Sequence, residues 1–372
     1  MSADLLGRGR TLVRICNACR YCEGLCAVFP ALERLREASP ADLHHLANLC
    51  HACGACHFAC PFAPPHDFDL HVPDTFARIR AESWRAYALL PAPAGAVVLT
   101  VAAALLATAV LLAAVLLARG PEVLFIAHTG PGAFYRVLSH DAMVTLFGLA
   151  FLWGFGLPLL AALRFWRAVR PGGPVGLAAW RAALRDALVL RNLDGGGAGC
   201  PDGTDAPRDR RRLFHHLTFY GFLLCFLATS VATLYHYLLG RIAPYPWWDL
   251  PVVAGTLGGL GLVVGPLGLV VQRRRRLSEL RDSADPAGDD AFSLLLALVA
   301  ASGLLLLGLR ATPAMPLLLV VHLGLVLALF LVLPWTRFSH APFRFAALLR
   351  DTVERTAPRE TEDPGVLPAT RR

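Results

Sequence analysis

The sequence predicts a mainly α protein in which a small cysteine-rich module precedes a bundle of six membrane-spanning helices. Three observations favour this fold class. Eight of the ten cysteines lie within residues 16–60. Only 17% of the 372 residues are charged and 56% are hydrophobic, whereas a soluble domain carries about 25% charged residues. Six uncharged stretches follow Arg85, each at or near the ~20 residues that a helix needs to cross a bilayer.

The cysteines form the same spacing twice. The run C-x₂-C-x₂-C-x₃-C comprises Cys16, Cys19, Cys22 and Cys26, and it recurs as Cys50, Cys53, Cys56 and Cys60. In bacterial ferredoxins this run ligates [4Fe–4S] clusters, and the fourth cysteine of each run ligates the other cluster. The spacing therefore predicts a bacterial 2[4Fe-4S] ferredoxin-like module with two crossed ligand sets. We expect the first set to be Cys16, Cys19, Cys22 and Cys60, and the second set to be Cys50, Cys53, Cys56 and Cys26.

Zinc and disulfides are the alternatives for these thiols. Zinc sites usually take two ligands from each of two C-x₂₋₄-C knuckles, rather than four from one run. Disulfides need an oxidising compartment, and eight thiols in so short a segment would be crowded. One departure from the ferredoxin run is that no proline follows Cys26 until Pro30, which leaves the ligands intact. Because cluster assembly needs reduced thiols, we expect the module to lie in the cytoplasm.

Apolar segments after the module predict how the chain enters and crosses the membrane. Phe76 and Ile79 share one face of a segment whose arginines lie elsewhere, which predicts an amphipathic interfacial linker helix over residues 73–88. Trp84 and Tyr87 would anchor it at the membrane surface. Six predicted spans follow. They lie between Arg85 and Arg119, Asp141 and Arg164, Arg212 and Arg241, Asp249 and Arg273, over residues 291–309, and between Arg310 and Arg337.

The arginine distribution predicts the topology. The sequence has no lysine, so all 35 basic residues are arginine. Loops after the second and fourth spans and the C-terminal tail are rich in arginine, whereas loops after the other spans hold few. The positive-inside rule therefore places both termini in the cytoplasm. No signal peptide is visible in residues 1–15, and we expect a multi-pass protein of the bacterial inner membrane without a nucleic-acid partner.

Histidines lie at both ends of the third and sixth spans. The third span has His215 and His216 at its cytoplasmic end and His236 near the other, and the sixth has His322 and His340. Separations of 20 and 18 residues correspond to ~30 and ~27 Å along a helix. Two antiparallel spans could therefore pair His236 with His322, and His215 or His216 with His340. Each pair could ligate a b-type haem. One or two haems are open alternatives, and His140, at the start of the second span, is a further candidate.

The domain organisation follows from these patterns. We predict a cytoplasmic 2[4Fe-4S] ferredoxin-like domain over residues 1–72, the linker helix over 73–88, a six-span cytochrome b-like domain over 89–340 with a cytoplasmic loop over 164–212, and a cytoplasmic tail over 341–372. Cys200 lies in a glycine-rich part of that loop. We expect it to be a spare thiol, with a redox role as the alternative.

Several stretches resemble the tricarballylate-utilisation protein B family, also called TcuB or CitB-type. They are the double cysteine run, the segments 64–73, 78–87 and 185–193, and above all Phe214-His-His-Leu-Thr-Phe-Tyr-Gly-Phe222 with Tyr235-His-Tyr237. The last span, from His322 to His340, resembles that of the nitrate-reductase gamma family. The first resemblance implies a membrane electron-transfer protein with iron–sulfur clusters and haem. Such a protein reoxidises the reduced FAD of a partner dehydrogenase (TcuA-type) and delivers electrons to the quinone pool, with quinone as its substrate.

The residues themselves agree with an electron carrier, because no set of nucleophile and base is visible. We expect the arginine-rich cytoplasmic face and the helix near residues 74–87 to dock the flavoprotein, with membrane topology alone as the plainer explanation of these arginines. Two other functions stay open. The chain could oxidise quinol and pass electrons to a cytoplasmic reductase, or it could be a redox sensor or membrane anchor that passes no electrons.

Overall fold

The fold class is confirmed. The computed structural model describes residues 2–193, 210–276, 280 and 285–356, and this part of the chain is helical without a strand. The N-terminal module contains five helices, α1 (Ser2–Cys19), α2 (Val28–Glu33), α3 (Pro40–Leu49), α4 (Ala55–Ala59) and α5 (Val72–Tyr87).

Helix α3 begins where its sequence signals place it. The Ser39 hydroxyl accepts a hydrogen bond from the backbone N–H of Asp42, and the Asp42 carboxylate accepts one from the backbone N–H of Ser39. Pro40 occupies the first helical position, where no N–H is needed. The resulting helix buries Leu43 and Leu46 completely, and these side chains form the centre of the module.

Helix α5 differs from the expected linker. Its Phe76, Ile79 and Ser83 are fully buried against the other module helices, chiefly α3 and α1. The Trp84 indole N–H donates to the Asn48 side chain (3.0 Å), and the Tyr87 hydroxyl lies 3.2 Å from His44 Nδ1. The amphipathic pattern therefore reflects packing inside the module, which places α5 with helices α1–α4.

Six helices are long and apolar enough to cross a membrane, as predicted, and the protein is a multi-pass membrane protein. They are α6 (Ala96–Arg119), α7 (His140–Val169), α9 (Arg210–Leu239), α10 (Leu250–Arg275), α11 (Pro286–Gly308) and α12 (Met315–Val332). Helices α9 and α10 approach each other closely, because a Cβ on Gly258 would lie 2.7 Å from the Gly221 carbonyl oxygen. Such close backbone contact is typical of glycine-lined helix pairs in membranes.

Two amphipathic helices, α8 (Leu177–Leu188) and α13 (His340–Thr356), pack on each other outside the bundle. Helix α13 also ties the module to the bundle. Its Arg350 donates to Asp42 (2.6 Å), and its fully buried Asp351 accepts from Arg34 (2.6 Å). The expected C-terminal tail thus begins as a docked helix, and residues 357–372 lie outside the described part. The bundle end that faces the module is called the module end below, and the opposite one the far end.

Candidate functional site

The first set of thiols lies where α1 ends and α4 ends. Cys16, Cys19, Cys22 and Cys60 line one small cavity, and Cys56 of the second set also reaches it. Burial raises the pKa of Cys16 to about 12, and the neighbouring thiols Cys22, Cys60 and Cys19 raise it further because thiolates repel one another. Four thiols held this closely need a cationic partner in order to ionise, which is the condition that bound iron meets.

The second set lies on the other side of the module. Cys26 reaches across to Cys50, Cys53 and Cys56, and all four line a second cavity. Burial raises the pKa of Cys26 and the Cys50 and Cys53 thiolates raise it further, whereas hydrogen bonds from the backbone N–H groups of Val28 and Phe29 lower it. The structure therefore brings each fourth cysteine to the run other than its own, in the two sets expected from the spacing.

The backbone of the second loop suits an iron–sulfur cluster. Ala52 and Gly54 adopt left-handed φ angles of 46° and 91°, and the Ala52 N–H donates to Cys50 Sγ (3.3 Å). Alternating right- and left-handed residues turn successive N–H groups into a concave anion site, as in many Fe–S proteins. Such a concave site would stabilise the negative charge of a cluster held by the second set.

Four arginines hold the loop of the second set, and sequence reasoning missed all four contacts. Arg80 of α5 and Arg344 of α13 donate to the Cys50 carbonyl (2.8 and 2.9 Å). Arg211 of α9 and Arg276, just after α10, donate to the Ala52 carbonyl (3.3 and 2.7 Å). Arg276 also donates to the Cys53 carbonyl (3.0 Å). No local sequence signal marks these pairs, because the partners lie up to 294 residues apart.

These arginines also change the electrostatics of the second set. Burial raises the pKa of Cys50, whereas the Arg80 and Arg344 guanidinium groups oppose that rise. Among the causes that shift the pKa of Cys16 there is no cation, only burial and other thiols. Cys50 is therefore the thiol of the second set at which positive charge opposes burial, whereas no cation shifts the pKa of Cys26 or Cys56.

His51 connects the second loop to the membrane helices. Its Nδ1 accepts a hydrogen bond from Arg344. Burial lowers its pKa well below the usual value, and the cations Arg344 and Arg211 lower it further, so the imidazole is neutral. His51 lines a cavity at the module end together with His215 of α9 and His340 of α13. That cavity is strongly basic. The arginines in its lining are Arg80, Arg211, Arg273, Arg276, Arg337 and Arg344.

His215 and His340 form a pair at the module end, as one of the predicted alternatives had it. Their ring centres are 5.9 Å apart and their planes are at 67°. His340 Nδ1 is hydrogen-bonded to the Arg337 carbonyl oxygen, which directs Nε2 away from that contact. His215 Nδ1 is buried without a hydrogen-bond partner. His216 lies beside Tyr220 instead (5.8 Å between ring centres).

The far end differs from the prediction. His236 stacks on His140 with ring centres 3.7 Å apart, and Tyr135 lies edge-on to both rings. His322 Nδ1 is instead 3.0 Å from the Ser302 hydroxyl on α11. No ring contact joins His236 to His322 within residues 210–276 and 285–356.

Depth explains the difference at the far end. His236 lies three residues before the end of α9 at Leu239, whereas His322 lies seven residues after the start of α12 at Met315. At ~1.5 Å per residue the two are about 4.5 and 10.5 Å inside their helix ends. His140, the first residue of α7, matches the level of His236. The remaining candidate, Cys200, lies outside the described residues.

Comparisons with known proteins agree with the two-part organisation. The family model "Citrate utilization protein B Fer4-like domain" matches residues 9–87, and the model "Citrate utilization protein B" matches residues 88–361. The boundary between them falls directly after α5. No solved structure matches this chain. The Citrate utilization protein B of Escherichia coli is 45% identical over 349 residues, which covers 92% of this chain and 91% of that protein. The Fer4-like domain and the cysteine-rich N-terminus point to iron–sulfur clusters, and the chain belongs to the citrate utilization protein B family.

Proposed function

We propose that this protein is a membrane electron-transfer protein that reoxidises the reduced FAD of a partner dehydrogenase and delivers the electrons to quinone. One observation carries the proposal. The loop of the second thiol set is held by Arg211 of α9, Arg276 just after α10 and Arg344 of α13, directly beside the histidine pair at the module end. A redox centre on this loop would therefore lie against the membrane bundle rather than in open solvent.

The two thiol sets would hold two [4Fe–4S] clusters. Bound clusters accept and release single electrons, which allows the two-electron load of a flavin to be divided. The residues of this chain stabilise the charge of the clusters and shield them from water. Ala52 N–H and the arginines stabilise negative charge at the second set, and the buried core around Leu43 excludes water.

His215 and His340 would hold a b-type haem at the module end. Their ring centres are 5.9 Å apart with the planes at 67°, so the two imidazoles could serve as the ligands of a haem iron, which would carry single electrons when bound. The Arg337 carbonyl fixes the His340 tautomer. Nearby arginines such as Arg211 and Arg344 are suited to the haem carboxylates. A second haem at the far end would use His140, His236 or His322.

The partner is expected to be an FAD-dependent dehydrogenase of the TcuA type that oxidises tricarballylate, citrate or a related acid in the cytoplasm. It would dock at the first thiol set, because the second is covered by the bundle. Exposed aromatic side chains surround the first set, namely Tyr21, Phe58 and Phe68 (68, 52 and 55% exposed). We place the protein in the bacterial inner membrane, with both termini in the cytoplasm.

The reduced-minus-oxidised visible spectrum of detergent-purified protein, with iron and haem quantified, tests the proposal. We expect about eight non-haem irons per chain and one or two b-type haems. A spectrum without an α-band would overturn the haem assignment and leave quinone reduction to the clusters. The Cys53→Ser variant should lose flavin-to-quinone turnover while the partner still reduces an artificial acceptor. Unchanged quinone turnover would instead support a sensor or anchor.

A further inference from the structure

A second cavity lies at the module end, between α5 and the ends of four spanning helices. Its volume is about 540 Å³, within the ~300–1,000 Å³ typical of small-molecule sites. Most of the wall is apolar and comes from α6, α7 and α12, for example Leu99, Pro158 and Val332. Trp84 and Trp335 line it as well. We call it the interfacial cavity, because its lining joins the module to the spans.

One side of the interfacial cavity is polar. Asp289 of α11 and Arg337, just after α12, form an ion pair there. Both side chains are largely buried, at 12 and 20% exposure. Thr100 and Ser339 also line the cavity, and both are buried. A charged pair beside an apolar wall favours a ligand with a polar ring and an apolar tail over a purely aliphatic chain.

The interfacial cavity is separated from the basic cavity by a single layer of side chains. Arg80, Trp84 and Arg337 line both cavities. The same Arg80 donates to the Cys50 carbonyl at 2.8 Å. A ligand in the interfacial cavity could thus contact Arg80, and Arg80 in turn contacts the loop of the second thiol set.

We propose that the interfacial cavity is the quinone site, an inference that rests on the proposed function. The ring would lie between Trp84 and Trp335, near the Asp289–Arg337 pair, with its isoprenoid tail along Leu99 and Val332. Arg337 is placed to donate a hydrogen bond to a ring carbonyl oxygen. Reduction to quinol takes up two electrons, which the reduced flavin of the partner supplies, and two protons, which the water at the module end supplies.

Photolabelling tests the location without turnover. Full-length holoprotein is irradiated with an azido-quinone, and the labelled peptides are identified by mass spectrometry. We expect label on the segments around Trp84, Leu99 and Trp335, and we expect excess unlabelled quinone, but not excess phospholipid, to suppress it. Label suppressed equally by phospholipid would show a lipid site. Label confined to the far end, near His140 and His236, would also overturn the proposal.

A matched pair of variants tests the function of the cavity. Leu99→Trp fills it, whereas Leu106→Trp lies on the same helix at a side chain that is 65% exposed. In dithionite-reduced protein, Leu99→Trp should slow reoxidation by a quinone with an isoprenoid tail about tenfold or more, because the indole would fill the space assigned to that tail. Reoxidation by ferricyanide should not change, and Leu106→Trp should resemble the wild type.

The experiments distinguish failure of the proposed function from failure of the proposed quinone site. If quinone does not reoxidise the wild-type protein, the proposed function fails and the site fails with it. If quinone reoxidises the wild type and both variants equally, and the label lies elsewhere, only the location is overturned.

Discussion

The loop of the first cysteine run, around Arg20 and Tyr21, and the loop of the second, around His51 and Ala52, share one backbone feature. The residue that follows the second cysteine of each run has a left-handed φ, 53° at Arg20 and 91° at Gly54. Their surroundings differ. Tyr21 is 68% exposed, whereas Ala52 is 1% exposed under arginines from three other helices. Equal ligand spacing therefore specifies the cluster type, while distant parts of the chain determine what each cluster can exchange electrons with.

The largest expected effect comes from removing Arg276, since two loop carbonyls depend on it. In Arg276→Met the carbonyls of Ala52 and Cys53 each lose a buried donor. We expect the stability of the second set to fall by about 2–4 kcal/mol, seen as iron loss and earlier thermal bleaching of visible absorbance. The matched control is Arg275→Met at the exposed neighbouring position, which should change stability by less than about 0.5 kcal/mol. Equal behaviour of the two variants would contradict the arginine contacts.

A pair of glycines compares the two loops directly. Gly24 and Gly54 have the same φ of 91°, so alanine at either position costs about 1–2 kcal/mol of backbone strain. A Cβ at Gly24 would meet nothing within 4 Å, whereas at Gly54 it would lie 2.9 Å from the buried side chain of Leu280. We expect Gly54→Ala to destabilise the protein by a further ~1 kcal/mol or more. Chemical denaturation of both variants measures the difference, and a larger loss for Gly24→Ala would refute the assigned packing.

The sequence predicted the features whose signals are local. Cysteine spacing predicted which thiols meet, and hydropathy predicted six spans. The same local view misassigned α5, because burial against a module and burial in a membrane surface require the same amphipathic pattern. It also paired His236 with His322, since residue counts along a helix do not define where the helix begins in the bilayer.

Contacts between distant segments left no such signal. With no lysine in the chain, arginine at positions 80, 211, 276 and 344 looked like any other basic residue. Their common target, the carbonyls of residues 50–53, becomes visible only when α5, α9, α10 and α13 are packed together. Helix α13 was unrecognised for the same reason, because Arg350 finds Asp42 across 308 residues.

Removing the charge of Arg344 tests whether the two clusters differ in midpoint potential. Arg344 donates to the Cys50 carbonyl and to His51, and it stays cationic at neutral pH. Removing this charge in Arg344→Gln destabilises the reduced, more negative form of the second cluster. We expect its midpoint potential to fall by roughly 50 mV, from a charge interaction on the order of 1 kcal/mol. Redox titration followed by EPR should show the first cluster unchanged, and an equal shift of both clusters would contradict the contacts of Arg344 with the second loop.

The smallest effect is expected at the exposed loop, where a partner would make many weak contacts. Tyr21 lies between Cys19 and Cys22, and its side chain is 68% exposed. Tyr21→Ala should therefore raise the KM for the flavoprotein about threefold to fivefold, as the loss of ~1 kcal/mol at an interface predicts. Reduction by dithionite should stay unchanged, because dithionite needs no docking surface. Trp248→Ala is the control, since Trp248 is 81% exposed but lies at the far end. A higher KM for the Trp248 variant alone would place the partner at the far end of the bundle and contradict docking at the first thiol set.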